Sequence, residues 1–313
     1  VTAAGSSARS WFAEVLLAPS ERAVVDVLFD QPGELTLEHR TPDRAYPLAT
    51  VTVTEERAAP SLAGEFEVLR RAPELAAERQ ALGAWLAAPP DKTLALVAEI
   101  EDLATPQEGA GPVVYACPMH REVTSDQPGR CPECGMKLLA GRVVTQAVAG
   151  EDPAVMQHAE HGHDHHGESH GRGTADGIEW EDDMVEVNKL ATPANMHWKL
   201  VDRVTGAANA AIDWRFTVGE RVKIRLVNEM DSDHPMYHPF HLHGAGRFLV
   251  LARDGATEPN LVWKDTVLVR TGQTVDILFD VTNPGLWMAH CHIAEHMQSG
   301  MMFSFTVARQ GEA

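Results

Sequence analysis

Residues 290–302 read HCHIAEHMQSGMM and lie between GLWMA and FSFTV, two apolar runs of strand length. A stretch so placed is the connection between the last two strands of a β domain. Cys291 and His296 are five apart and Cys291 and Met301 are ten apart, so a loop that folds back brings them together. One soft thiolate, one imidazole and one thioether make an incomplete copper set. A second histidine is missing, and it need not be near in sequence.

HPFHLHG, residues 238–244, supplies it, and RFLVLA follows as another strand-like run. His241 and His243 alternate with Leu242, so in an extended chain both imidazoles fall on one side. His290 and His292 flank Cys291 in the same way. Two ligand groups result. His238, Cys291, His296 and Met301 surround one copper; His241, His243, His290 and His292 face a different site whose all-imidazole chemistry suits Cu(II) and oxygen. Isolated histidines such as His39 and His197 read as ordinary satisfied residues. A closed structural zinc site stops at four ligands, which these two loops exceed.

HPFHLHG followed by HCHIAEHMQSGMM resembles the copper motifs of the last domain of multicopper oxidases, the laccase-like family, over residues 178–309. The resemblance implies a mainly β fold, a cupredoxin-like Greek-key β-sandwich. It implies that His238, Cys291 and His296 are equatorial ligands of a type 1 blue copper with Met301 axial. His241 would be a type 2 ligand, and His243, His290 and His292 ligands of the type 3 pair. The implied activity is one-electron oxidation of a phenolic or metal-ion substrate at the type 1 copper, coupled to four-electron reduction of dioxygen to water at a trinuclear cluster. Cys291 and His296 would carry the electron, with Glu295 and Asp265 as candidate ligand-supporting or proton-delivery carboxylates.

The family completes its trinuclear cluster with four histidines from a first domain, in two H-x-H pairs. Residues 1–116 contain His39 alone. The expectation is therefore half a cluster, completed by a missing N-terminal cupredoxin portion, either a removed segment or a second chain. Unpartnered, such a chain has the chemistry of a non-enzymatic blue-copper electron carrier or copper-binding protein.

Upstream, VTAAGSSARS reads as a loop, with neither the basic end nor the long apolar core of a signal peptide. LLAPSERAVVDVLFD resembles later strands of the family's middle domain. Turns at Pro19–Ser20 and Gln31–Pro32–Gly33 leave too few strands to close a sandwich, so residues 1–57 read as a partial cupredoxin domain. Residues 58–91 read as a helical linker with Leu75, Leu82 and Leu86 on one face. Residues 92–104 alternate as the first strand of the last domain, and residues 177–188 read as a strand pairing with it. Residues 177–313 then hold that domain, with strand pairs around Val218–Gly219 and Thr271–Gly272.

Between these strands, residues 113–142 carry Cys117-x2-His120 and Cys131-x2-Cys134, two ligand pairs of a metal-clipped knuckle. Its apolar content is too low for a core of its own, so metal is the expected source of its stability. Met119 and Met136 tilt the choice from Zn towards Cu(I). CPMH and CPECGM resemble the short heavy-metal-binding domains attached to copper-handling proteins. Residues 143–176, with HAEHGHDHHGESHGRG, read as a disordered His-rich linker, either a weak metal binder or a solvated spacer.

The 45 carboxylates against 26 basic residues disfavour nucleic acid and anionic membranes as partners. No run of 18 apolar residues offers a membrane span. A periplasmic or secreted location is implied by the resemblance.

Overall fold

The computed structural model of the protein describes residues 2–3, 14–42, 44–68, 77, 80–101, 113–120, 122–140, 178, 180, 192–244, 247–258 and 261–311. Strands β1 (Thr2–Ala3) and β2 (Val25–Asp26) pair with each other, and β3 (Gly33–Arg40) and β4 (Ala45–Val53) form a separate antiparallel hairpin. Short helices Ala63–Val68 and Gly83–Ala87 precede β5 (Lys92–Ile100). The small strands β6 (Tyr115–Ala116), β7 (Thr124–Ser125) and β8 (Leu139–Ala140) build the knuckle. Then come β9 (Met196–Asp202), β10 (Trp214–Thr217), β11 (Arg221–Asn228), β12 (His238–Leu242) and β13 (Phe248–Arg253). The chain continues through β14 (Ala256–Thr257), β15 (Trp263–Lys264), β16 (Thr266–Val269), β17 (Thr274–Asp280) and β18 (Gly285–Cys291). Helix Ala294–Gln298 leads to β19 (Met302–Ala308).

Two sheets face each other. One runs β10-β19-β18-β12-β16, and the other β14-β13-β17-β11-β5-β9, with β15 paired to β13. Alternation explains the packing: in β9 every second residue, Met196, Trp198, Leu200 and Asp202, is buried. Phe303, Phe305 and Val307 of β19 do the same. Phe216 of β10 meets Phe279 of β17 edge-on at 5.5 Å, joining the sheets through aromatic contact. This is the mainly β, cupredoxin-like sandwich that the copper motifs implied. Its tight turns fall at Gly219 and Gly272, whose φ values of 98° and 71° favour glycine.

β5 has a described partner on each side. β5 is flanked by β9 through Leu94–Ile100 and by β11 through Lys92–Leu96. Beyond β11 the chain stays on that edge, with Asp233 N–H donating to Ala98 O at 2.8 Å. Described segments therefore lie along both edges of β5; of residues 177–188, expected to pair with it, only 178 and 180 lie among the described residues.

Helix Gly83–Ala87 packs on the second sheet, with Leu82, Trp85 and Leu86 against Leu249, Leu251, Leu261 and Leu278. Leu75 and the His-rich stretch 143–176 lie outside the described residues. The β3–β4 hairpin has no third strand among the described residues, and Leu37 and Leu48 are exposed on it.

Candidate metal centres

β12 and β18 are antiparallel neighbours, with His241 opposite His290 and Phe240 opposite Cys291. This register brings the two histidine motifs together. Because side chains alternate along each strand, His238 and Cys291 turn into the core while His241 and His290 turn the other way. His238, Cys291 and His296 are all buried.

Three donors converge on the core side. Cys291 Sγ lies 3.4 Å from His296 Nδ1 and 3.7 Å from His238 Nδ1, and the two nitrogens are 3.2 Å apart. Ligands about 2.0–2.3 Å from one metal ion sit at such mutual separations. Burial pushes the His238 pKa down to about 3, with His234 adding to the effect, and holds His296 well below the usual range. Both imidazoles are thus kept neutral, the form that binds metal. Burial pushes the Cys291 thiol up to about 12, so a cation is needed to displace its proton. The loop closes tightly, with Cys291 N–H donating to Met301 O at 3.1 Å and Met301 N–H to His296 O at 2.9 Å. Met301 is fully buried in the same core cluster.

On the other side, single donor atoms of His241, His290 and His292 lie within 4.8 Å of one another. His243 Nε2 is 3.1 Å from His290 Nε2. The carbonyl of Asp265 accepts from His241 Nδ1 at 2.8 Å, and that of Cys291 accepts from His290 Nδ1 at 2.8 Å. Each bond leaves Nε2 free for a metal. Burial pushes His241 down to about 4, with His243, His290, His292 and Arg22 contributing, and lowers His243 and His290 as well. The Asp265 carboxylate forms an ion pair with Arg22.

Gly244, which ends HPFHLHG, has a structural cause. Its φ is +76°, and a Cβ there would stand 2.2 Å from the Trp287 ring. Asn283 donates to Gly244 O at 2.8 Å and Trp287 Nε1 donates to Asn283 O at 2.9 Å, fixing the loop.

In the knuckle, Cys117, His120, Cys131 and Cys134 place one donor atom each within 4.8 Å of one another. Cys117 Sγ is 3.7 Å from Cys134 Sγ and 3.8 Å from His120 Nδ1, while Cys131 Sγ is 3.5 Å from that nitrogen. These separations suit a tetrahedral thiolate–imidazole site. A hydrogen bond from Cys134 holds the Cys117 pKa down to about 5, and that same bond raises the donor Cys134. Burial raises Cys131.

Residues 183–311 match the family model described as multicopper oxidase, and residues 114–140 match the heavy metal binding domain. The C-terminal part of this chain is thus similar to the multicopper oxidases. A multicopper oxidase of Staphylococcus epidermidis is 37% identical over 93 residues, covering 29% of this chain and 21% of that protein. Multicopper oxidase MmcO of Mycobacterium tuberculosis is 31% identical over 141 residues, covering 40% of this chain and 27% of that protein. The solved multi-copper oxidase of Pediococcus acidilactici is 36% identical, covering 32% of this chain and 21% of its own, with a TM-score of 0.29. The chain spans less than a third of the length of these relatives, at 21% and 27%.

Neither the His238 ring nor the His296 ring reaches the surface, at 1% and 3% exposure. The reason is Trp198, which the sequence reading passed over: its indole stacks on His296, with centroids 3.6 Å apart. His234 was missed too; it is wholly buried beside Trp198 at 5.4 Å, and burial pushes its pKa down to about 4. The alternation of Met196, Trp198 and Leu200 was the available signal for that strand. Glu295 is exposed on helix Ala294–Gln298, one residue before the buried His296.

Proposed function

We propose that this chain is the C-terminal portion of a copper-dependent oxidase that takes electrons singly at His238, Cys291, His296 and Met301. It passes them to a trinuclear cluster half-built from His241, His243, His290 and His292. The carrying observation is that Cys291 lies in one donor cluster while its sequence neighbours His290 and His292 lie in the other. Two peptide steps thus join the clusters covalently. Copper at these positions would supply one-electron exchange at the first cluster and, with further ligands, four-electron reduction of dioxygen to water at the second.

The protein's own part is preorganisation. The buried pocket keeps imidazoles neutral, and backbone carbonyls of Asp265 and Cys291 aim His241 and His290. Asp265 is proposed to steady His241, and Glu295 to serve as the exposed carboxylate beside the buried His296. The other half of the cluster would come from the histidine pairs of an N-terminal cupredoxin portion. The lengths of the relatives support this, since the chain spans 21–27% of them. We read residues 1–57 as part of a middle cupredoxin domain, 58–91 as a linker, 92–104 with 177–313 as the last domain, and 113–142 as an inserted knuckle holding Cu(I) or Zn. A small reducing substrate, phenolic or a metal ion, and a periplasmic or secreted setting complete the proposal; among the described residues no helix is long and apolar enough to cross a membrane.

The test is the copper-loaded protein's visible spectrum. A thiolate–copper band should be present and should vanish in Cys291→Ser. A copper-loaded chain without that band would show that Cys291 is no blue-copper ligand.

A further inference from the structure

A metal-clipped insertion on a flexible tether would leave the blue-copper loop untouched. This knuckle is instead bolted to it. Cys117, Cys131 and Met136 belong to the same buried cluster as Trp198, Met236, Cys291 and Met301. Arg130 and Lys137, paired by an isolated bridge, bracket the Cys131–Cys134 turn. Inside the bracket, Cys131 N–H donates to Met136 O at 2.7 Å and Gly135 N–H to Cys131 O at 2.8 Å. Outside it, both residues grip the segment leading into β12. Arg130 donates to Ser232 O, and its Nη2 reaches Asp231 Oδ1 at 3.0 Å and Asp233 Oδ1 at 3.5 Å. Lys137 N–H donates to Asp233 O at 2.9 Å, and its Nζ donates to Ile100 O at 2.8 Å.

The gripped segment is itself laced to the sandwich. Ser232 Oγ accepts from Ala98 N–H at 2.7 Å, and Asp233 Oδ2 accepts from Ile100 N–H at 2.9 Å. Ala98 stands opposite Trp198 in the β5–β9 register. Trp198 lies on His296 and is 5.6 Å from His238. Contacts therefore run unbroken from the thiols of the knuckle to two imidazoles of the His238/Cys291/His296 cluster.

We propose that the knuckle is a fixed cap on that cluster, with Arg130 and Lys137 as positioning residues that transmit the knuckle's metal state to His238 and His296. Metal held by Cys117, His120, Cys131 and Cys134 keeps the Cys131–Cys134 turn closed and so keeps both cations on residues 231–233. Without metal the four ligand side chains lose their common partner and the turn rests on its packing and backbone hydrogen bonds alone; the grip loosens, and Trp198 and His238 lose their fixed positions. The reading rests on the metal assignments proposed above. It makes the knuckle a sensor wired to the redox site.

The experiment uses the full chain loaded with copper. Cys131→Ser together with Cys134→Ser empties the knuckle; Arg130→Ala together with Lys137→Ala removes the side-chain part of the grip while leaving all four knuckle ligands. Three readouts are taken: the thiolate–copper band, copper release to a chelator, and amide exchange of residues 229–238. Both double variants should shift the band and release blue copper faster by roughly tenfold, as loss of residues supporting metal ligands does, with faster exchange in the segment. The grip variant should do so with its knuckle metal still present. Unchanged band, release and exchange in the grip variant would overturn the coupling, whatever becomes of the thiol variant. Absence of the band from the unaltered chain would overturn the copper reading instead, and the two failures are distinct.

Discussion

The Trp198 indole lies nearly flat on the His296 imidazole, with ring centroids 3.6 Å apart and planes 20° from parallel. A ring so covered keeps one rotamer and meets no water. Trp198→Phe should preserve an aromatic face, whereas Trp198→Leu should not. Loss of a core Trp to a small side chain costs about 3–5 kcal/mol, so the leucine variant should lose somewhat less, about 2–4 kcal/mol, and the phenylalanine variant about 1–2 kcal/mol by urea unfolding. Copper release should quicken in the order unaltered, phenylalanine, leucine. Equal release rates would mean that the stack plays no part in holding His296.

Gly244 offers a sharper test, because backbone and space both exclude a side chain there. A Cβ would meet the Trp287 ring at 2.2 Å, and φ is +76°. Gly244→Ala should therefore destabilise by more than about 1 kcal/mol and shift His243, its neighbour. Adding Trp287→Ala relieves the clash but not the backbone strain, so recovery in the double variant should be partial. Full recovery would assign the whole cost to the clash.

The pH dependence of stability should show an acid limb from Asp276. Burial alone would raise this carboxyl. Hydrogen bonds from Arg225 at 2.8 and 2.9 Å, together with Lys223 at 3.3 Å, outweigh that and hold it below the ordinary carboxylate range. A folded pKa below the unfolded value of about 3.9 gives stability that is complete above that pH and is lost as pH falls through the folded pKa. Stability should thus be insensitive to this group from pH 6 to 8, on the order of the neutral range, and decline below about pH 4. Asp276→Asn removes the opposite charge beside Lys223, which is only 2% exposed and otherwise donates to the carbonyls of Trp85, Leu86 and Ala88, and should cost about 3 kcal/mol at neutral pH. The gap between variant and parent in urea midpoints should narrow in acid.

What was legible in the sequence is what local pattern and ligand chemistry carry. β10 with β11 and β16 with β17 follow from alternation around Gly219 and Gly272. The convergence of the His238 and Cys291 loops was also legible, because a thiol, imidazoles and a thioether have no shared packing motive. The pairing of β5 was not legible, since nothing in residues 92–100 says which of several alternating segments will take each edge. Trp198 was hidden for a similar reason: an aromatic at strand spacing reads as core, and only the folded register puts it on His296. The docking of the knuckle was equally hidden, because Arg130 and Ser232 are 102 positions apart and neither carries a ligand signature.

The last prediction concerns oxygen. His241, His290 and His292 converge within 4.8 Å, and His243 reaches His290 at 3.1 Å. His39, the sole histidine before residue 117, sits on the β3–β4 hairpin against Tyr46 at 5.7 Å. Four imidazoles leave two or three copper ions under-ligated, so metal on this side should bind weakly. The His238/Cys291/His296 cluster draws its ligands from one sandwich and should fill independently. The chain assayed alone should therefore bleach with a reductant and recover its colour slowly in air. A polypeptide carrying paired H-x-H motifs, joined to the chain or added to it, should restore rapid oxygen uptake on an oxygen electrode. Steady four-electron consumption by a verified unpartnered chain would refute the half-cluster reading, and would hand the missing ligands to histidines such as His163 and His165.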